Sequence, residues 1–155
     1  MPLLLNSTKI INEWTDYNNH MNLSYYILVF DKAAEKILSK FKMGEEAALK
    51  TKRSTMVVET HTTYNNEVKE GEDVDVYLSY CNHDKKRLHY KLEMYEKSKN
   101  ILSATTEVLA LYINLDLRKV AEFEKEKMLI MDNFIDENNQ KFKFDNLQFS
   151  NKVKK

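Results

Sequence analysis

The residues from Trp14 to Asn22, which read WTDYNNHMN, include several side chains that can take part in hydrolysis. The carboxylate of Asp16 can attack a carbonyl carbon or accept a proton from a water molecule. Asn18 and His20 can orient that carboxylate, the water or a substrate. The same residue types are common before helices, where they cap the first backbone N–H groups. The spacing alone leaves two interpretations open, a helix cap and a catalytic loop.

An amphipathic helix is predicted directly after this loop. Apolar residues recur at helical spacing from Leu23 to Phe41, which predicts a helix of about 28 Å. Asn22 is the expected N-cap and Gly44 the expected stop. Free N–H groups at the helix start, near Leu23 and Ser24, can hold a carbonyl oxygen as it becomes negatively charged. The loop and the helix start together indicate acyl transfer to water.

The chain after Arg53 changes from a helical to an alternating pattern of apolar residues. Four segments, STMVVETHTTY, DVDVYLSY, RLHYKLEMY and ILSATTEVLALYINL, predict strands joined by short polar connections. With an earlier strand in PLLLNSTKIINEW they form an antiparallel sheet of about five strands. The sheet must wrap around the one long central helix, because only that helix can cover its apolar face. The predicted fold class is α+β, with a C-terminal helix from Leu117 to about Ile135.

The composition predicts one domain that binds neither nucleic acid nor membrane. The 155 residues include 24 basic and 24 acidic side chains, so the formal net charge is zero. The single cysteine, Cys81, allows no internal disulfide, and we find no metal-binding motif. No signal peptide or membrane span is recognised, so a cytoplasmic location is expected. The domain is expected to cover residues 1–135. For the polar segment 136–155 two possibilities stay open, a tail that docks loosely or not at all and a final strand.

Three motifs, in the same order along the chain, resemble those of a known family. WTDYNNHMNLSYY, ETHTTYNNEVKEG and DKKRLH resemble motifs of hotdog-fold acyl-CoA thioesterases in the 4-hydroxybenzoyl-CoA thioesterase branch. They are most similar to those of the thioesterases of carnitine degradation, which act on betainyl-CoA. The resemblance covers about Trp14 to Leu117, and the residues after Leu117 lie outside it. Asn19 departs from the glycine that many relatives have at this position.

The resemblance implies a hotdog fold and hydrolysis of a small acyl-CoA, with betainyl-CoA as the first candidate and no cofactor beyond the substrate's own CoA. It implies that Asp16 is the nucleophile or general base, that Asn18 and His20 position it, and that Glu59 meets substrate or water across a subunit interface. The residues expected to contact the substrate are Trp14, Tyr17, Asn22, Leu23, Ser24, Tyr25 and Glu67. Lys86 and Arg87 are expected to contact the phosphates of CoA. Hotdog sites are typically built from two protomers, so a homodimer or homotetramer is expected.

Several of these residues have a second interpretation. By the two-residue period of a strand, Glu59 and His61 share a face with Val57, where Glu59 can equally form a salt bridge at a subunit interface. The charged run at Lys86 and Arg87 can be a solvated hairpin. Aromatic residues around the loop can hold a quaternary ammonium by cation–π attraction. The alternative functions are a hotdog hydratase or dehydratase, a non-catalytic binder of acyl-CoA or lipid, and a cone-shaped α+β pocket protein.

Overall fold

The computed structural model describes residues 2–154. Its strands and helices are, in chain order, β1 (Leu3–Lys9), α1 (Leu23–Lys40), α2 (Glu45–Thr51), β2 (Arg53–Tyr64), β3 (Asp73–His83), β4 (Arg87–Glu96), β5 (Ile101–Asn114), β6 (Lys119–Val120) and α3 (Lys125–Asn138). Short 3₁₀ turns lie at residues 12–14, 139–141 and 150–152. Within residues 2–154, none of the helices has the length and hydropathy needed to span a bilayer.

The five long strands form one antiparallel sheet in the order β1-β3-β4-β5-β2, and β6 extends it by pairing with β5. The alternating pattern of the sequence is confirmed in β3, where Val74, Val76, Leu78 and Tyr80 are almost fully buried. The buried side of α1 contributes Tyr26, Val29, Phe30, Ala33, Ala34 and Ile37 to the same core. The predicted α+β hotdog architecture, a sheet curled around one central helix, is confirmed.

The start of α1 is as predicted, but its end is formed differently. Asn22 is the N-cap, and its side-chain oxygen accepts a hydrogen bond from the Ser24 N–H at 3.0 Å. At the other end the Met43 N–H donates to the Leu38 carbonyl, beside a left-handed Lys42 with φ of 60°. This is the Schellman arrangement, usually built on glycine. Gly44 therefore does not stop α1.

Gly44 instead precedes α2, a helix that the sequence pattern did not predict. The seven residues of α2 include none that is buried, so this helix has no apolar stripe for a pattern to reveal. The predicted C-terminal helix also begins later than expected, at Lys125 rather than Leu117. The Asn114 side chain accepts hydrogen bonds from the N–H groups of Asp116 and Leu117, which turns the chain into the β5–β6 hairpin.

The chain after α3 runs across the outer face of the sheet, on the side opposite α1. Phe142 is buried against Phe134 of α3, and the Lys143 N–H then donates to the Ser79 hydroxyl of β3 at 2.9 Å. Farther along, Phe149 is buried beside His89 of β4. The segment makes specific contacts without forming a strand among its described residues. The domain boundary at residue 135 stays a prediction.

Candidate active site

The loop before α1 holds the carboxylate of Asp16 from two sides. One carboxylate oxygen accepts the backbone N–H of Asn18 at 2.9 Å, and the other accepts the side-chain amide of Asn22 at 3.0 Å. Asn22 also caps α1 through its side-chain oxygen. One asparagine therefore caps the helix and fixes the carboxylate relative to its first turn. The catalytic role of the loop stays a prediction.

The loop is closed at its base and anchored in the core. Thr15 and Met21 form an isolated antiparallel bridge, and the Met21 N–H donates to the Val68 carbonyl at 2.7 Å. At the tip, Asn19 has a positive φ of 63°. Glycine adopts this left-handed conformation freely, and asparagine tolerates it better than most other residues. The departure from glycine at Asn19 therefore preserves the loop's shape.

The first turn of α1 carries a free backbone donor at Leu23, a residue that lines the same cleft as Asp16. The Ser24 N–H is taken by the Asn22 side chain, and the Tyr25 N–H donates to the Asn22 carbonyl. Among the residues that the structure describes, none accepts a hydrogen bond from the Leu23 N–H. The sequence pointed to both Leu23 and Ser24 as oxyanion donors, and the structure leaves Leu23 available for that purpose.

The electrostatic surroundings of Asp16 favour its charged form. The Asn18 N–H and then the Asn22 amide lower the pKa of this carboxyl below its usual range, and the nearby His20 lowers it further. Burial opposes this effect, but the hydrogen bonds outweigh it and the pKa is lowered overall. Asp16 is therefore a carboxylate at neutral pH, the form that a nucleophile or a general base requires.

The Asn22→Asp variant tests this environment through the pH dependence of activity. Aspartate still caps α1, but it removes the amide donor and places a like charge beside Asp16, so the pKa of Asp16 rises. Because the reaction needs ionised Asp16, the acidic limb of the kcat/KM profile is expected to move to higher pH. Asn65→Asp is the matched control, since it adds the same charge to the cleft without removing a bond to Asp16. If the acidic limb of the kcat/KM profile does not move in Asn22→Asp, or moves equally in Asn65→Asp, the Asn22 amide does not set the pKa of Asp16.

The loop forms one wall of a cleft of about 540 Å³. The other walls are the first turns of α1 and the residues that end and follow β2, which include Tyr64 and Glu67. The Tyr26 and Tyr64 rings meet edge to face at 5.3 Å, and the Tyr26 hydroxyl donates to the Asn66 carbonyl. Of the predicted site residues, the cleft brings together Asp16, Tyr17, Asn18, His20, Asn22, Leu23 and Glu67. Tyr64 and Asn66 were missed, although both lie in the YNNE segment that drew attention to Glu67.

Other predicted substrate contacts lie beside the cleft rather than in it. Trp14 is buried and stacks on Tyr25 at 6.1 Å, and the Lys32 ammonium lies 5.4 Å from the centre of the Trp14 ring. The face of the Trp14 ring that could hold a substrate cation is therefore already next to the Lys32 ammonium. Ser24 lines a neighbouring apolar pocket between α1 and β2. The substrate-binding roles of Trp14, Ser24 and Tyr25 stay predictions.

Glu59 lies on the outer face of the sheet, so its predicted face was wrong. Val57 is opposite Ala110 of β5, but Glu59 is opposite Leu109, because a bulge at Val58 inserts one extra residue into β2. The bulge reverses the alternation that the two-residue period assumed. Glu59 pairs there with Lys152 at 2.6 Å, and it does not line the Asp16 cleft.

Lys86 and Arg87 lie at the far end of the sheet from Asp16 within one protomer. Tyr64, at the cleft, is opposite Ala104 of β5, and Arg87 is opposite Leu111. Seven residues of β5 separate these two levels, or about 23 Å at roughly 3.3 Å per residue. A single protomer therefore does not bring the basic hairpin to the Asp16 cleft.

A curled antiparallel sheet around one long helix, with an acidic loop at the start of that helix, defines a hotdog-fold protein. The sequence profile of the Thioesterase-like superfamily matches residues 12–134, and the chain belongs to this superfamily. It is a thioester hydrolase, as the resemblance of its three motifs predicted.

Relatives in sequence agree with this assignment. Betainyl-CoA thioesterase of Pseudomonas aeruginosa is 32% identical over 119 residues, which make up 77% of this chain and 75% of that protein. The L-carnitine dehydrogenase/betainyl-CoA thioesterase of Rhizobium meliloti is 28% identical over 82% of this chain and 25% of its own.

Two solved structures share the fold at low sequence identity. A hypothetical protein from Staphylococcus aureus in complex with CoA superposes with a TM-score of 0.82 and 21% identity, covering 100% of this chain and 96% of its own. The DHNA-CoA thioesterase of Staphylococcus aureus superposes with a TM-score of 0.79 and 18% identity, covering 90% of this chain and 95% of its own.

Proposed function

We propose that the protein hydrolyses a small acyl-CoA at the Asp16 cleft. The observation that carries this proposal is the ionised carboxylate of Asp16, held by Asn18 and Asn22 in the cleft that Leu23 at the start of α1 also lines. A nucleophile or base and an oxyanion donor are the two groups that thioester hydrolysis needs from the protein.

The proposed reaction places the thioester oxygen on the Leu23 N–H, where the positive end of the α1 dipole stabilises developing negative charge. Asp16 then follows one of two routes. It attacks the carbonyl carbon, forming an anhydride that water opens, or it takes a proton from a water molecule that attacks. In both routes the carbon–sulfur bond breaks, and the products are the free acid and CoA thiol.

The proposed acyl group is small and cationic, with betainyl as the first candidate. One line of support is the identity to betainyl-CoA thioesterase of Pseudomonas aeruginosa. A second is the chemistry of the cleft wall, where the Tyr26 and Tyr64 rings and the Glu67 carboxylate can attract a quaternary ammonium. Glu67 is half exposed and its only salt bridge among the described residues is with Lys69 at 3.7 Å.

Betainyl-CoA and 3,3-dimethylbutyryl-CoA test this function, because the second replaces the ammonium nitrogen by carbon and keeps the shape. Thiol release is expected from both, with kcat/KM about tenfold higher for betainyl-CoA, and Glu67→Gln is expected to reduce that preference. Absence of turnover with a wider panel of acyl-CoAs would contradict hydrolysis. A preference for the neutral ester would contradict only the cationic acyl group.

We further propose that the active form is a homodimer joined along the β2 edge. β2 is a terminal strand of the sheet, and at its centre Met56, Val57 and Val58 are 41%, 55% and 52% exposed. An apolar free edge is a template for pairing with another strand. A two-fold axis makes that pairing antiparallel.

Antiparallel pairing also explains how the basic hairpin of one protomer can contact a ligand in the cleft of the other. It brings the β4 start of one protomer to the end of the sheet where the Asp16 loop of the other protomer lies. Three strand spacings then separate the cleft from the partner's hairpin, or about 14 Å at roughly 4.8 Å each. Lys86 and Arg87 would thus bind the CoA phosphates of the neighbouring active site.

A further inference from the structure

The residues after the matched family region form a structure that we name the C-terminal clamp, residues 143–154. The clamp crosses the outer face of the sheet and touches four strands. It contacts β3 at Ser79, β4 at Lys91, β5 at Glu107 and β2 at Glu59. It ends at the hairpin between β3 and β4, the same hairpin that carries Lys86 and Arg87.

The middle of the clamp is fixed by a buried carboxylate. Glu107 of β5 is 1% exposed and accepts the backbone N–H groups of Gln148 and Phe149 at 2.6 and 2.8 Å. Its second oxygen also lies 2.6 Å from the His89 ring nitrogen. Since an unpaired buried carboxylate is costly, this arrangement favours a clamp that stays docked.

The end of the clamp is fixed by a second carboxylate, that of Asp84, whose side chain is 3% exposed. One oxygen accepts the N–H groups of Lys86 and Arg87, both at 2.8 Å. The other accepts the Arg87 guanidinium and the Lys154 backbone N–H, both at 2.9 Å. Burial raises the pKa of Asp84, but these donors outweigh it and lower the pKa overall. One carboxylate thus joins the clamp to the hairpin backbone and to the Arg87 side chain.

The hairpin borders a cavity of about 620 Å³ between itself and α3. Four cationic side chains line this cavity, those of Lys85, Lys86, Arg87 and Lys154. The carbonyls of Lys85 and Lys86 accept N–H groups of Phe123 and Tyr112, which fixes one side of the hairpin backbone. Asp84 fixes the other side, and the clamp supplies one of its four hydrogen bonds.

We propose that the Lys154 backbone amide is a positioning group, through which the C-terminal clamp holds Asp84 and the basic hairpin in the shape that binds the nucleotide of CoA. The proposal rests on the proposed role of Lys86 and Arg87 in binding CoA. Lys154 acts through Asp84 rather than by touching the thioester. Its loss therefore weakens nucleotide binding without changing the chemical step.

A pair of variants at one position separates the amide from the side chain. Lys154→Pro removes the N–H together with the ammonium, whereas Lys154→Ala removes the ammonium alone. The residue before the substitution tolerates proline, because Val153 has φ of −95° and ψ of 120°, the extended conformation that precedes proline readily. Calorimetric titration of the dimeric protein with CoA and with adenosine 3′,5′-bisphosphate measures the effect without relying on turnover.

Lys154→Ala is expected to weaken CoA binding about threefold or less, and Lys154→Pro about tenfold. The backbone amides of Lys86 and Arg87 donate hydrogen bonds to the Asp84 carboxylate. Their hydrogen exchange is expected to become faster in the proline variant but not in the alanine variant. With an N-acetylcysteamine thioester, which lacks the nucleotide, kcat and KM are expected to match wild type. A merely structural defect would change these values too.

The outcomes separate the two proposals. Suppose that Lys86→Ala and Arg87→Ala weaken CoA binding, but Lys154→Pro and Lys154→Ala bind CoA with equal affinity. The clamp proposal is then overturned, and the proposed contact of the hairpin with CoA is retained. If Lys86→Ala and Arg87→Ala leave CoA affinity unchanged, the hairpin contact is wrong and the clamp proposal falls with it. Equal amide exchange in all variants would also overturn the clamp.

Discussion

Asp16→Asn is expected to lower kcat about a thousandfold with little change in thermal stability. The amide cannot attack the carbonyl carbon or accept a proton from water. It still fits the loop, since its oxygen can accept the Asn18 N–H that now holds Asp16. The loss should appear in thiol release at saturating acyl-CoA, with CoA affinity measured separately to show that the site still binds its ligand.

Asp136→Asn makes the same chemical change on the exposed surface of α3 and should leave kcat at the wild-type value. Glu59→Gln provides the opposing test, because Glu59 was the other candidate carboxylate and the structure places it on the outer face. Wild-type kcat in Asp16→Asn together with a large loss in Glu59→Gln would move the chemistry to Glu59, reached across the subunit interface.

Glu107→Ala is expected to lower the free energy of unfolding by about 3 kcal/mol. The change leaves His89 buried without its partner and leaves the N–H groups of Gln148 and Phe149 without an acceptor inside the protein. The loss is a large part of the roughly 5–15 kcal/mol that stabilises a typical domain. Urea unfolding, followed by circular dichroism, measures it.

Glu107→Gln is the matched control, because glutamine keeps the size of the side chain and one acceptor oxygen. About half the destabilisation of the alanine variant is expected. A loss below about 1 kcal/mol in Glu107→Ala would mean that the clamp docks through its apolar residues alone, and that the buried carboxylate contributes little.

Much of the fold could be predicted because local patterns and tertiary packing agree. The apolar residues of α1 and β3 are buried as their patterns predict, although Asp75 and Ser79 on the other face of β3 are buried too. Asn22 caps the start of α1, as its position predicts. The predictions failed where the backbone departs from regular geometry. The bulge at Val58 inserts one residue without changing the composition of β2, and Lys42 adopts a left-handed conformation that usually belongs to glycine.

The candidate site was likewise predictable only in part. Its Asp16 loop is contiguous in sequence, so the spacing of three side chains could be read directly. The opposite wall comes from Tyr64 and the residues after it, which only the strand order brings to the loop. The C-terminal clamp could not be predicted from the sequence for a related reason. Three of its contacts are backbone N–H groups donated to distant carboxylates, and these depend little on which side chains the segment carries.

The most direct test of the central claim is the fate of betainyl-CoA in ¹⁸O-labelled water with the wild-type protein. Hydrolysis at the Asp16 cleft predicts one equivalent of free CoA thiol and one of betaine carrying ¹⁸O in its carboxylate. The hydratase alternative needs an unsaturated acyl group, so crotonyl-CoA is tested in parallel, and uptake of ¹⁸O across its double bond with the thioester intact would indicate a hydratase. Recovery of unchanged betainyl-CoA, together with measurable binding, would contradict hydrolysis of this ester and indicate a protein that binds it without turnover.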